Sequence, residues 1–197
     1  DATERRGGGR ALREIARQPR FVIAVLGGIC AYMTMNLVMT ASPLAVLDCD
    51  YVFADAAFVI QWHIVAMFAP AFVTGRLIKR VGVLPVMLAG AVLLAGAVTA
   101  NVSGVDLFAN FLVGLVLLGV GWNFVFVGAT TLLTGCYVPA EKAKTQAAND
   151  FLVFSSVAVS ALASGAIHSL LGWIAVNLVT VPLILAVTVG AVWLMLH

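Results

Sequence analysis

The chain has 197 residues, 62% hydrophobic and only 10% charged, where a soluble domain carries roughly a quarter charged residues. The apolar residues fall in long runs and the mean hydropathy is +1.08, which excludes a water-soluble fold and requires a surface that faces lipid. The formal net charge of +2 conceals a strong asymmetry along the chain, and the three cysteines, Cys30, Cys49 and Cys136, have neither metal-ligand nor redox spacing.

Residues 1–20 form a basic, polar segment. After Gly7-Gly8-Gly9, the residues Leu12, Ile15 and Ala16 fall at helical spacing while Arg10, Arg13 and Arg17 turn elsewhere, and Pro19 ends the stretch. Two readings stay open: a small amphipathic helix on an anionic membrane face, or a basic arm without fixed structure. The start at Asp1, with no initiator methionine and no signal peptide, is expected of a piece of a longer protein.

Residues 21–197 predict a bundle of six transmembrane helices, since each span needs about 20 residues. Span one covers 21–47, with Pro43 expected to bend its far end. An acidic loop at 48–55 leads to span two at 56–74, followed by the basic loop Gly75-Arg76-Leu77-Ile78-Lys79-Arg80-Val81-Gly82. Span three covers 83–100 and span four 107–134, joined by a turn containing Asp106. A second basic loop, 135–144, opens span five near Pro139. Span five runs to Leu171, and Gly172-Trp173 turns tightly into span six, which ends at Leu196.

With this map every lysine and arginine falls on one side: Arg5, Arg6, Arg10, Arg13, Arg17, Arg20, Arg76, Lys79, Arg80, Lys142 and Lys144. The opposite side carries Asp48, Asp50, Asp55 and Asp106. The positive-inside bias then predicts that both termini are cytoplasmic, in an inner or plasma membrane of bacterial type. A wrong span count would scatter the cations over both faces.

Span four carries Gly114, Gly121, Gly128 and Gly135, one every seven residues. Two helical turns separate each pair, so they form one stripe on which another helix can approach closely. Gly119 is expected to widen it, and Ser156, Ser160 and Ser164 offer a comparable face on span five. The two halves of the chain also echo each other. Gly75 and Gly82 follow span two as Gly165 and Gly172 close span five, and Cys49–Asp55 precedes span two as Cys136–Glu141 precedes span five. A three-plus-three inverted repeat would produce both matches.

The basic loop between Gly75 and Gly82, the segment Tyr137-Val138-Pro139-Ala140-Glu141 and the closing Gly172-Trp173 resemble the second half of a major facilitator superfamily transporter over nearly the whole chain. Lys79 stands where the family pattern has an aspartate, and Val83 and Leu84 where it has basic residues. The resemblance implies half of a twelve-helix fold. In that half, spans one, two, four and five line a central cavity, spans three and six face lipid, and the glycines of the basic loop permit a tight turn.

Polar groups at membrane depth are candidates for function. On span one, Tyr32, Asn36 and Thr40 form a stripe that suits either a cavity wall or a seam to a neighbouring helix. On span two, Gln61 and His63 lie about 200° apart around the helix; His63 suits proton coupling or a satisfied core histidine. Trp122 and Asn123 on span four offer an apolar plate and an oriented amide. On span five, Asn149, Ser156 and Ser160 share a face, and Asp150 is either a helix-dipole partner or a second proton-coupling site. His168 and Asn177 are expected as anchors near the outer interface.

No catalytic, metal-ligating or phosphate-binding pattern occurs, so neither enzyme activity nor a cofactor or metal is expected, and the basic residues follow a membrane face rather than nucleic acid. The expected function is one half of a secondary active transporter, symporter or antiporter. It would move a small organic solute by alternating access on an ion gradient, with an amino-terminal half or a second copy as partner. A membrane scaffold that keeps the fold without transport is the alternative.

Overall fold

The computed structural model describes residues 9–104 and 107–197. The expectations for Arg5, Arg6, Gly7, Gly8 and Asp106 lie outside the described residues. In chain order the elements are α1 (Leu12–Ala16), α2 (Pro19–Asp48), α3 (Phe53–Phe68), α4 (Ala71–Val81), α5 (Val83–Ser103) and α6 (Phe108–Thr134). A 3-10 turn at Pro139–Glu141 then opens α7 (Lys142–Leu178), and α8 is Val181–Leu196.

Among the described residues, five segments are long and apolar enough to cross a bilayer: Pro19–Asp48, Phe53–Val81, Val83–Ser103, Phe108–Thr134 and Pro139–Leu196. The last has 58 residues, far beyond the roughly 20 that one crossing needs. It is interrupted at Gly172, whose φ of 80° and ψ of 179° are not helical. The chain reverses there. Asp48 and Cys49, at the end of α2, line a cavity with His168 and Gly172, while Gln18 and Arg20, at its start, line another with Trp193 and His197.

α6 sits at the centre and packs on α2, α3 and α5, while α2 also packs on α7 and α8. Its glycines set the α5 contact. A Cβ at Gly114 would lie 1.8 Å from Asn101 Oδ1, one at Gly121 3.0 Å from the Gly90 carbonyl oxygen, and one at Gly128 2.4 Å from Met87 Cγ. The stripe therefore has three members. Gly135 is the C-cap of α6 and meets only its own helix, at Leu132 O, because the helix ends before the period returns. Gly119 serves another face, where its Cβ would lie 2.8 Å from the His63 carbonyl oxygen of α3.

Proline shapes two helices in different ways. Pro43 lies inside a continuous α2, where it denies the Met39 carbonyl its usual donor. The Ser42 hydroxyl donates to that carbonyl instead, at 2.9 Å. Pro70 separates α3 from α4, and the amide of Asn123 donates to the carbonyl of Met67 beside the break, at 2.7 Å.

The basic loop expected between Gly75 and Gly82 is helical. Gly75, Arg76, Lys79 and Arg80 belong to α4, and only Gly82, at φ 95° and ψ 163°, turns the chain. Gly75 has open space around it. A helix tolerates one glycine, and Lys79 and Arg80 in its last turn favour its carbonyl end.

The described part of the amino-terminal segment, residues 9–18, is docked on the bundle. Arg10 donates to Glu141 through its backbone N–H (2.6 Å), Nε (3.0 Å) and Nη2 (2.8 Å), and Nη2 also reaches the Cys136 carbonyl at 3.0 Å. Gln18 donates to the same carbonyl at 3.0 Å and Lys144 to the carbonyl of Arg10. Ile15 is fully buried among Phe21, Leu132, Leu133 and Cys136, while Leu12 and Arg13 stay exposed. The hydrogen bonds from Arg10 hold the Glu141 carboxyl down to about 2, against the opposing effect of its burial.

The two halves share local geometry. Val52 N donates to Asp55 Oδ2 and Val138 N to Glu141 Oε2, each at 3.1 Å. Cys49 N and Cys136 N each close a turn on a carbonyl three residues back. Gly82 and Gly172 adopt nearly the same unusual backbone conformation.

Candidate functional site

Helices α2, α6 and α7 meet around an aromatic corner. The Tyr32 ring of α2 stands edge-on to Trp122 (5.2 Å, 87°) and Phe126 (4.9 Å, 85°) of α6, which stack on each other at 5.1 Å and 14°. Phe154 of α7 lies 6.1 Å from Tyr32, and Phe68, the last residue of α3, 6.3 Å from Trp122. Tyr32 and Phe126 are half-buried and Phe68 and Phe154 exposed, so the corner opens to the outside of the bundle. Trp122 is buried, and its Nε1 has no hydrogen-bond partner among the described residues.

Polar groups border the corner on α7. Asn149 is buried and its Nδ2 donates to Asp150 Oδ1 at 3.1 Å. Asp150 is exposed and lies one helical turn before Phe154. Ser156 is half-buried and donates to the Val153 carbonyl at 2.6 Å. Together these residues offer ring faces for stacking, an indole donor, an amide and a carboxylate.

The other candidates lie elsewhere. Asn36 Nδ2 donates to Ser160 Oγ at 2.9 Å and to the Val157 carbonyl at 3.2 Å, and Ser164 donates to the Leu37 carbonyl at 2.6 Å. These bonds make a seam between α2 and α7. Thr40 and Gln61 are exposed away from the corner contacts. His63 is fully buried; its Nδ1 donates to the Leu115 carbonyl at 2.8 Å, and its Nε2 has no partner among the described residues. Asn123 accepts from the Thr74 hydroxyl at 2.7 Å as well as holding Met67, so its amide is committed to the α3–α4 break. Trp122 and Asn123 differ by about 100° around α6, and both meet the end of α3: Trp122 turns toward Phe68 and the corner, and Asn123 toward Met67 and Thr74.

At the opposite end from Glu141, His168 Nε2 lies 3.6 Å from Asp48 Oδ2. Asn177 is fully buried, not an interfacial anchor: it accepts from Asn101 Nδ2 at 2.8 Å and donates to the Trp173 carbonyl at 3.0 Å, while Trp173 Nε1 donates to the Asn101 carbonyl at 3.1 Å. Sequence reading missed this knot, along with Phe68, Phe126 and Phe154. An aromatic in an apolar run carries no periodic signal that separates a cavity wall from core or lipid-facing surface.

Relatives share this sequence over most of its length. The chain is 42% identical over 181 residues to the riboflavin transporter RfnT of Brucella anthropi, covering 92% of this chain and 45% of that protein. It is 35% identical over 138 residues to the uncharacterized MFS-type transporter YddS of Bacillus subtilis, covering 70% of this chain and 32% of the relative. It is 30% identical over 167 residues to YdeG of the same organism, also an uncharacterized MFS-type transporter, covering 84% and 39%. The chain thus spans less than half the length of these curated relatives. No solved structure matches it. The family model for the Major Facilitator Superfamily matches residues 24–197, and with the helical bundle described above the chain belongs to that superfamily.

Proposed function

We propose that this chain forms one wall of a secondary transporter for a flat heteroaromatic solute, riboflavin or a close flavin. The aromatic corner carries the reading. Tyr32, Trp122, Phe126 and Phe154 supply ring contacts suited to a planar solute, and Asn149 and Asp150 stand ready for a polar tail. The 42% identity to a riboflavin transporter supports the same solute class.

The second wall comes from an amino-terminal six-helix half or from a second copy, and the two rock about a midplane site. In this reading the break at Gly172 divides the last apolar segment into a fifth and a sixth crossing. The paired conformations of Gly82 and Gly172, and of the Val52–Asp55 and Val138–Glu141 caps, support a three-plus-three repeat. The cations at one end of the bundle support cytoplasmic termini in a bacterial inner membrane. An ion gradient drives the cycle, with Asp150 as the coupling group, because it is exposed beside the corner whereas His63 is sealed from it.

Uptake of labelled riboflavin by a riboflavin-requiring strain making the complete protein tests this. Saturable uptake is expected, and Asp150→Asn should flatten its dependence on external pH. Uptake equal to that of the vector control would sink the solute assignment, and an absence of transport for every flavin tried would favour the scaffold reading.

A further inference from the structure

We infer that the groove between α2 and α8, at the end that carries the cations, binds one anionic phospholipid, with its phosphate at Arg17 and Arg20 and an acyl chain along Ile23 and Gly190. Two cavities meet there. One, of about 270 Å3, is lined by Gln18, Pro19, Arg20, Trp193, Leu194 and His197. The other, of about 380 Å3, is lined by Arg17, Pro19, Val22, Ile23, Val189, Gly190 and Trp193.

Pro19 and Trp193 belong to both linings, so a polar mouth runs directly into an apolar trough. Arg17 and Arg20 are exposed at that mouth, and among the described residues no acidic side chain lines either cavity. Two cations without a lining counter-charge call for an anion, and basic pockets between membrane helices suit anionic headgroups. The trough excludes a simple inorganic anion as the intended occupant, because everything beyond Arg17 is hydrocarbon. Gly190 keeps the trough open: a Cβ there would only touch Ile23 at 3.6 Å, whereas a larger side chain would fill the space. Trp193 is 43% exposed and stacks on His197 at 4.9 Å and 18°, an amphipathic plate at the depth where headgroups meet acyl chains.

Native mass spectrometry of the complete protein, with phosphatidylglycerol and phosphatidylcholine in equal amounts, reads the site without any variant. Preferential retention of phosphatidylglycerol is expected, and equal retention of the two lipids overturns the proposal. Arg17→Gln with Arg20→Gln should lower that retention about thirtyfold, from two lost headgroup contacts. Gly190→Leu should lower it with both cations in place, by filling the trough. Wild-type retention in both variants overturns the assignment to this groove. Inorganic phosphate that displaces the lipid fully at millimolar concentration would reduce the site to an anion site and overturn the acyl-chain half of the claim.

Discussion

The α5–α6 interface and the Tyr32–Trp122 corner are built on two faces of the same helix, and they treat space and polarity in opposite ways. On the α5 face, three glycines leave no room for a methyl group against Asn101, Gly90 or Met87. On the corner face, large rings meet at their edges, two are exposed, and the Trp122 indole N–H has no partner among the described residues. Lipid offers no hydrophobic force between helices, so close backbone packing has to supply cohesion. A binding surface instead needs groups whose partners arrive later. One face is finished and the other is kept open.

Breaking the finished face should have the largest effect. Gly121→Glu places a carboxylate where a Cβ would already lie 3.0 Å from the Gly90 carbonyl oxygen. About 3 kcal/mol for a charge at helix centre and about 1–3 kcal/mol of overpacking should leave no monodisperse protein in a detergent size-exclusion profile. Normal yield would contradict the packing claim. Asn123→Ala comes next. It strands the Met67 carbonyl beside the Pro70 break and leaves the Thr74 hydroxyl only the Pro70 carbonyl as acceptor, at about 1–3 kcal/mol, read as a lower midpoint of thermal unfolding.

The open face should respond in function and not in folding. Trp122→Leu is expected to keep the yield while raising the half-saturation concentration for riboflavin by about tenfold, from lost ring contacts of about 0.5–1.5 kcal/mol each. A collapse in yield would move Trp122 to the finished side of the comparison. The Arg10–Glu141 clasp tests neither face, and its pH dependence is confined to acid. Glu141 is depressed to about 2 from an ordinary 4.5, so its contribution is complete above the ordinary value and lost as pH falls through about 2. Thermal stability of the wild type should fall across that window, and Glu141→Gln should remove the slope. The smallest effect belongs to Gly75→Ala, which meets nothing within 4 Å. It should raise stability by up to about 1 kcal/mol, and a loss would show that Gly75 has a close neighbour after all.

Sequence reading reached those features that depend on period and charge, and missed those that depend on distant neighbours. The stripe of Gly114, Gly121 and Gly128 was legible because two helical turns repeat every seven residues, and Gly135 misled because period alone does not show where a helix stops. The segment from Gly75 to Arg80 looked like a loop for its glycine and its cations, yet both suit the carbonyl end of a helix. Adjacent letters also hid a division: Trp122 joins the ring cluster while the amide of Asn123 is committed to Met67 and Thr74. The bonds from Arg10 to Glu141 and from Asn101 to Asn177 join residues 131 and 76 positions apart, a separation that no local pattern encodes. Tyr32 was a candidate and Phe154 was not, and only the packing of their helices made them neighbours.

The interruption at Pro70 has a mechanical consequence. A continuous helix transmits twist along its axis, whereas two rods joined at a proline turn through different angles about the joint. Asn123 grips one carbonyl at that joint while the hydroxyl of Thr74 grips Asn123 from the next rod, so α6 acts as the axle. The cationic rod ending at Val81 and the rod that packs on Gly119 through His63 are thereby both fastened to one helix across the joint.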